Sequence, residues 1–442
     1  MPYIRGVRLD DPPTKYRAER IISLLRKLMP DSSNEPDFLD EKLAISIYYA
    51  LFLPYPILKE PEKRDPKELT KYALVSALLS SNNLRAVKQH TVADSITSTV
   101  VSAVFLETIV EELQRIGQPH GGDMNAKQNQ NTPFGESRST DLSNAVDKAL
   151  ESVKDIAKQA KEITNLAMKF AAGNASMLSL DDVIQDVINL AKNTNVKAIL
   201  EVLKLIEETD TYIKVKKIPS PRGELEGYEL GNDVEKIVPS ELALPKELFL
   251  VKYAERDLLL YRKVVSRDYG KFYILLDKSG SMMGLKIIWA KAVALALAQR
   301  AVRERREFYV RFFDSIPYPP IHISRRIHGR DVIKLLEYLA RIRANGGTDI
   351  TRAILTAVDD IVSTTPRSRV SDIILITDGE DRVAIDMVKK GLARANARLH
   401  TVMIHGNNPD LRAISESYMV ATKLDRQEAL KVVMLGQGGS TP

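Results

Sequence analysis

The sequence predicts a C-terminal α/β domain, built on a central mostly parallel sheet with helices on both faces and preceded by an all-α region. Three observations predict it. Residues 1–116 and 141–215 carry apolar side chains at helical spacing, with no repeat of fixed period. Beyond Lys271, short continuous apolar runs alternate with amphipathic stretches, the pattern of strands buried on both faces between covering helices. Segments rich in Gly, Pro, Asn and Ser separate these parts. A chain of 442 residues is also too long for one compact core, so division into domains is expected.

In the first region, residues 1–116, helices are expected over 16–29, 38–53 and 69–79. The last is announced by Asp65-Pro66-Lys67-Glu68: an Asp at the N-cap, Pro at the first helical position and a Glu placed to reach back from the third. The longest apolar stretch, 96–110, carries Ser and Thr throughout and has Asp94 and Glu107 at its flanks. It falls short of the roughly 20 clean apolar residues a membrane span needs. The opening residues lack the apolar core of a secretory signal, and there is no cysteine. Disulfides, thiol catalysis and zinc sites built on thiolates are thereby excluded, and a cytoplasmic protein is the expectation.

Residues 117–140 are dominated by Gly, Asn, Gln, Pro and Ser, with little apolar surface to offset the entropy of ordering, and read as a flexible linker or loop. The helical region 141–215 then opens with the cleanest periodicity in the chain. Leu142, Val146, Ala149, Val153, Ile156, Ala160, Ile163, Ala167 and Phe170 form one apolar seam, with Lys, Glu and Asp on the other faces. Its alanines admit close approach of another helix, either within the same domain or in a coiled coil with a second chain. Two more helices are expected, one capped by Ser179 and one through Ile199, Leu203 and Ile206. Residues 216–265 read as a connecting segment, because Pro and Gly content rises between 219 and 231.

The α/β domain is placed at 266–436. Strands are expected at 272–276, 308–313, 321–324, 373–377 and 399–404, with helices at 285–303, 332–342, 350–362 and up to Asn396, then two short closing elements. Charge divides along the chain as well. Residues 251–442 hold 32 Lys and Arg against 21 Asp and Glu, or +11, while residues 1–250 carry −5. The two halves should attract each other, or the C-terminal half should favour acidic partners.

Three loops carry the candidate chemistry, and all are expected at the edge of the sheet where parallel strands present their carboxyl ends to ligands. They are Asp277-Lys278-Ser279-Gly280-Ser281, Gly346-Gly347-Thr348-Asp349 and Thr377-Asp378-Gly379-Glu380. Asp277, Ser279, Ser281, Thr348 and Asp378 together offer two carboxylates and three hydroxyls, without imidazole or thiolate. An all-oxygen set of this kind suits a hard ion, Mg²⁺ foremost, with Mn²⁺ or Ca²⁺ as alternatives. Two carboxylates leave such an ion electron-poor and disposed to take a further anionic oxygen from a second protein.

Other signals are weaker. Asp277 and Ser279 lack the second acid of a paired-aspartate phosphatase nucleophile, and no phosphate-binding Gly-x-x-x-x-Gly-Lys loop exists. Gly280-Ser281-Met282-Met283-Gly284 lacks the spacing of a serine nucleophile elbow. No catalytic residue and no organic cofactor site is assigned, and an enzyme is not expected. The arginines at 303, 305, 306, 311, 325, 326 and 330 could form a solvated face, meet an acidic protein, or bind RNA, although few aromatics accompany them for base stacking.

The motifs Asp-x-Ser-x-Ser, Gly-Gly-Thr and Thr-Asp-Gly, in this order, resemble the metal-ion-dependent adhesion site of von Willebrand factor A domains over roughly residues 265–435. That resemblance implies a Rossmann-like sheet and an ion held by Ser279, Ser281 and Thr348 directly or through water, with Asp277 and Asp378 completing the shell. Lys278 departs from the small or polar residue common there, and is expected either to tune the ion or to point into solvent. Gly227-Tyr228-Glu229-Leu230-Gly231-Asn232-Asp233, Pro239-Ser240-Glu241-Leu242, Tyr253-Ala254-Glu255-Arg256 and the first-helix stretch from Trp289 to Ala294 resemble the CoxE/ViaA-like branch. Membership there implies a non-enzymatic adaptor that works with a MoxR/RavA-class AAA+ ATPase and an acidic client protein. Helical segments before an A domain also resemble Ro-type RNA-binding proteins. The accessory subunits of metal chelatases, where an A domain partners an ATPase, are a further alternative.

Overall fold

The computed structural model describes residues 2–30, 38–61, 65–117, 136–170, 182–207, 218–265, 270–325, 328–364 and 369–435. The chain forms two compact units, Met1–Glu201 with Arg326–Ile342, and Val202–Arg325 with Arg343–Pro442. Ser179 and most of the expected 117–140 linker lie outside the described residues.

The first unit is helical: α1 (Pro12–Leu28), α2 (Glu41–Phe52), α3 (Pro66–Ser80), α4 (Leu84–Thr91), α5 (Ser95–Gly117), α6 (Glu136–Phe170), α7 (Ile184–Ala191) and most of α8 (Thr194–Glu207). Asp40 caps α2 through a 2.9 Å bond from the Leu43 N–H. The start signal of α3 works differently from expectation. Asp65 occupies the N-cap and Pro66 follows it, but the Asp65 side chain makes no capping bond. Glu68 does not reach back. Its carboxylate accepts a 2.8 Å bond from the Tyr3 hydroxyl, pairs with Lys42, and lies 3.4 Å from Lys71. Charge-assisted partners outcompete a neutral backbone N–H. Burial works to raise the Glu68 pKa, yet Lys42, Tyr3 and Lys71 hold it at about 2.

The apolar stretch 96–110 becomes the buried centre of α5, where Val100, Val101, Val104, Phe105, Leu106, Ile109 and Val110 are all enclosed. Its hydroxyls turn onto carbonyls: Ser98 onto Thr91 at 2.8 Å, Ser102 onto Ser98 at 2.6 Å, and Thr108 onto Val104 at 2.9 Å. These hydroxyls are thus satisfied inside a protein core, while that of buried Thr97 has no hydrogen-bond partner among the described residues. Among the described residues no helix is long and apolar enough to cross a membrane.

Helix α6 begins at Glu136, inside the segment expected to be loop, because an established helix extends at the cost of one residue per added bond. Its seam buries Val146, Ala149, Val153, Ala160, Ile163, Ala167 and Phe170, with Ala157 taking the enclosed place beside a half-buried Ile156. That seam packs against α3, α4, α5, α7 and the helix Gly329–Arg341, all within the helical unit. Lys161 of this helix pairs at 2.6 Å with buried Asp94, the residue just before α5.

In the second unit the segment expected only to connect forms a two-stranded antiparallel sheet, β1 (Ile218–Gly231) with β2 (Leu258–Val265). Short helices α9 (Pro239–Leu242) and α10 (Lys246–Glu255) lie between them in sequence. The Pro- and Gly-rich run is accommodated by register shifts between Pro219 and Glu224 and between Leu225 and Gly227, where the ladder needs no continuous donors. Ile237, Leu258 and Leu260 form its small core.

The main sheet follows. Its elements are β3 (Phe272–Asp277), α11 (Leu285–Arg303), β4 (Phe308–Phe313), β5 (Ile321–Ile323), α12 (Gly329–Arg341), α13 (Ile350–Thr364), β6 (Ser371–Thr377), α14 (Ile385–Ala395), β7 (Ala397–Ile404), α15 (Pro409–Ile414), β8 (Ser417–Ala421) and α16 (Arg426–Met434). Three elements close the chain after β7 rather than two. The strand order is β5-β4-β3-β6-β7-β8, parallel throughout except for β5. One face packs Tyr273, Leu275, Ile373, Leu375 and Met403 against α13 and α14, and α11 packs on β3 and β4. From β3 the chain runs outward through β4 and β5, then returns to β6 on the other side. The carboxyl ends of β3 and β6 therefore flank a topological switch point, where parallel sheets open a crevice. Helix α12, whose Val332, Ile333, Leu335, Leu336 and Leu339 are buried, groups with the helical unit.

The opposite end of the sheet corrects the reading of the arginine cluster. Arg306 is buried and bonds Asp372 at 2.7 Å, and Arg398 reaches the same carboxylate at 2.9 Å. Burial would raise the Asp372 pKa, but the His400 hydrogen bond and the charges of Arg306 and Arg398 hold it at about 2. Arg311 is also enclosed, 2.5 Å from Asp360 and 2.7 Å from the Tyr273 hydroxyl. Two arginines are thus spent on the interior, while 303, 305, 325 and 330 remain exposed. Arg326 lies outside the described residues.

Candidate metal centre

Each of the three loops is set by the strand or helix beside it. Asp277 ends β3 and is fully buried, because the parallel neighbours β4 and β6 cover it on both sides. Its Oδ1 accepts the Ser279 N–H at 2.8 Å, and its Oδ2 accepts the hydroxyl of Thr377, the last residue of β6. Burial raises the Asp277 pKa, against the bonds from Thr377 and Ser279, and the nearby charge of Asp378 pushes the same way. A carboxylate in that position favours a positive partner.

A chain of polar contacts runs on from there. Ser279 Oγ lies 3.1 Å from Ser281 Oγ, and Ser281 donates to Asp378 Oδ1 at 2.7 Å. Four of the five sequence-derived residues are therefore joined by hydrogen bonds. The fifth, Thr348, is brought in by backbone. Gly280 N–H bonds the Gly346 carbonyl at 3.0 Å, and Asn345 N–H bonds the Lys278 carbonyl at 2.6 Å, so the second loop is stitched onto the first. Gly346 takes a left-handed φ of +96°, which favours glycine at this turn. At Gly379 a Cβ would stand 3.0 Å from Thr348 Cγ2, 3.1 Å from Thr377 Oγ1 and 3.6 Å from Asp277 Oδ2. All three loops thus meet around a place that a glycine keeps open. Asp349, next to Thr348, is a capping residue instead: its Oδ1 accepts the Arg352 N–H at 2.9 Å at the start of α13.

Among the described residues no three His, Asp or Glu side chains gather to hold a metal. The cluster at the switch point contains two carboxylates completed by hydroxyls, so its fit to an ion rests on hard oxygen donors rather than on charge. His400 plays no part in it: it is buried 3.3 Å from Asp372 at the other end of the sheet.

Three further side chains complete the surroundings, and the sequence reading singled out only one of them. Lys278 is 7% exposed rather than solvated. Its ammonium pairs with Asp314 at 2.7 Å and lies 4.6 Å over the Tyr318 ring. Burial works to lower its pKa, but Asp314 and Tyr318 leave it raised. Asp314 follows β4 as Asp277 ends β3, and an acid immediately after an apolar run was the available signal for it. Lys286, in the first turn of α11, bonds Asp378 Oδ2 at 2.6 Å. It sits nine positions beyond Asp277, where sequence spacing alone does not separate a site lysine from a solvated one.

A family model described as von Willebrand factor type A domain matches residues 271–418. An uncharacterized protein of Methanocaldococcus jannaschii is 26% identical, covering 89% of this chain and 90% of its own length. A second protein of that organism is 25% identical over 84% of this chain and 89% of its own. The regulatory protein ViaA of Proteus mirabilis is 28% identical over 43% of this chain and 44% of its own length.

Proposed function

We propose that this chain, a von Willebrand factor type A domain protein of the ViaA-like branch, is a non-enzymatic adaptor that grips an acidic residue of a partner protein through one divalent cation. Asp277, Ser279, Ser281, Thr348 and Asp378 would hold the ion. The donor set favours Mg²⁺, with Mn²⁺ and Ca²⁺ as alternatives. Once bound, the ion supplies a Lewis-acidic place for a carboxylate from outside. The observation that carries this reading is the hydrogen-bonded run from Asp277 through Ser279 and Ser281 to Asp378, laid across the switch point of a parallel sheet.

The rest of the chain supports the same direction. The +11 balance of residues 251–442 suits an acidic partner. Burial of Arg306 and Arg311 in carboxylate pairs leaves less of the arginine cluster for RNA phosphates. A MoxR/RavA-class AAA+ ATPase is the partner that the branch suggests, with the helical unit docking the ATPase or its client.

The test uses the full-length chain and the MoxR-class ATPase of the same genome. One Mn²⁺ or Mg²⁺ per chain is expected by calorimetry, and the complex should weaken in EDTA and with Asp277→Ala or Ser279→Ala. Undiminished complex formation by both variants, in chelator, would remove the metal-bridged mechanism.

A further inference from the structure

From the pairing of Lys286 with Asp378 we infer that this lysine is a resident counter-cation of the site, which an incoming divalent ion must displace and which sets how weakly that ion is held. The inference rests on the proposed ion site and adds a residue that none of the three motifs contains.

Asp378 has both carboxylate oxygens engaged. Oδ1 accepts from Ser281 at 2.7 Å, and Oδ2 accepts from Lys286 at 2.6 Å. The Asp378 side chain is 3% exposed and that of Lys286 is 28% exposed. The ammonium thus approaches from the solvent side and seals an enclosed carboxylate. Its position is not accidental to the backbone. Gly284, at a φ of +83°, turns the chain after Ser281 into α11, so Lys286 is carried on the first turn of a nineteen-residue helix. The other lysine of the site, Lys278, is held by Asp314 and does not reach Asp378. One cation is therefore committed to Asp314 and the other to the candidate ligand itself.

A divalent ion drawing on Asp378 meets a charge already there. Two cations that share one carboxylate in partly desolvated surroundings repel each other, and the ion must overcome this repulsion before it is bound. Lysine suits such a place because its flexible stem lets the ammonium swing to water when the carboxylate is claimed. Arginine, with the same charge, preserves the competition, while methionine keeps the apolar stem and removes it.

Mn²⁺ alone is the probe, titrated into the full chain while free Mn²⁺ is followed by its paramagnetic resonance signal. Lys286→Met is expected to bind Mn²⁺ at least about tenfold more tightly than the native chain, and Lys286→Arg within about threefold of it. Asp277→Ala is the control that must lose binding. If the native chain binds Mn²⁺ and Lys286→Met binds it equally or more weakly, the counter-cation role is wrong while the ion site stands. If neither the native chain nor Lys286→Met binds Mn²⁺, the ion site itself fails and this inference with it. Circular dichroism of each variant keeps a folding defect from passing as either result.

Discussion

Lys278 and Asp314 close a 2.7 Å ion pair across the carboxyl ends of the parallel strands β3 and β4, both side chains 9% exposed. The pair is fully dressed. Asp314 also accepts the Ile316 N–H at 2.9 Å and the Tyr318 hydroxyl at 2.8 Å, and Lys278 donates to the Asn345 carbonyl at 3.2 Å. It therefore ties the Asp277 loop to the strand on one side and to the Gly346 loop on the other.

Removing one partner of such a pair strands the other in a poor solvent. Asp314→Ala should destabilise the chain by roughly 3–5 kcal/mol in urea denaturation. The double change Lys278→Met with Asp314→Leu should recover most of that loss, since an apolar pair of similar size carries no stranded charge. A double variant as unstable as the single one would mean that packing around Tyr318, and not the charge, holds the loops.

Gly379 is where geometry around the five candidate side chains can be disturbed with little effect on the fold. A methyl there meets Thr348 Cγ2 at 3.0 Å and Thr377 Oγ1 at 3.1 Å, so the two threonines must shift by a few tenths of an ångström. Gly379→Ala should weaken Mn²⁺ binding by about tenfold or more, because Thr377 positions Asp277. Its stability should change by less than about 1 kcal/mol. Unchanged Mn²⁺ affinity, measured by calorimetry, would place the ion away from Gly379.

Much of this site was legible because its parts fall at strand ends. Asp277 and Asp378 follow continuous apolar runs, and only a central parallel strand is apolar on both faces, so their common edge could be read from periodicity alone. What could not be read was the company they keep. Lys278 looked free to reach solvent, since nothing in the local sequence marks Asp314, thirty-six positions on, as its partner. The strand β1 was hidden for a related reason: its prolines and glycines signal a break, and only the register shifts opposite β2 make them tolerable. In the helical unit, apolar spacing located α6, but the helix began earlier, at Glu136, because capping preferences are weaker than helix propagation. Glu68 shows the same limit: its spacing to Asp65 fits a capping box, and the tertiary neighbours Tyr3 and Lys42 take it instead.

Asp372 makes the pH dependence of stability predictable. Its pKa is held at about 2 in the folded chain, below the roughly 3.9 of an unfolded aspartate. A depressed carboxylate binds fewer protons folded than unfolded between those values. Its contribution is thus complete above about pH 4 and is lost as pH falls toward 2. Asp372→Asn should remove this residue's share of the acid-side slope. It should also cost roughly 3–5 kcal/mol at neutral pH, since buried Arg306 loses its 2.7 Å partner and keeps only the longer 3.5 Å contact with Glu304. Urea denaturation at several pH values reads both effects. An unchanged acid slope in the variant would assign the linkage to other carboxylates, Glu68 first among them.

The seam of α6 offers the sharpest check on the helical unit. Ile163 is fully buried, and the seam it belongs to packs on α3, α4, α5, α7 and α12, so truncating it opens a cavity inside one chain. Ile163→Ala should cost about 2–5 kcal/mol, with a melting temperature that does not depend on protein concentration. Ala160→Leu, at an equally enclosed position, should destabilise by about 1–3 kcal/mol through overpacking. If the seam instead served a second copy of the chain, Ile163→Ala would shift the sedimentation coefficient, and the melting temperature would rise with concentration. Invariant sedimentation together with a lowered melting temperature is the expected pair of results, because a seam already covered by its own unit has no apolar face left to offer another helix.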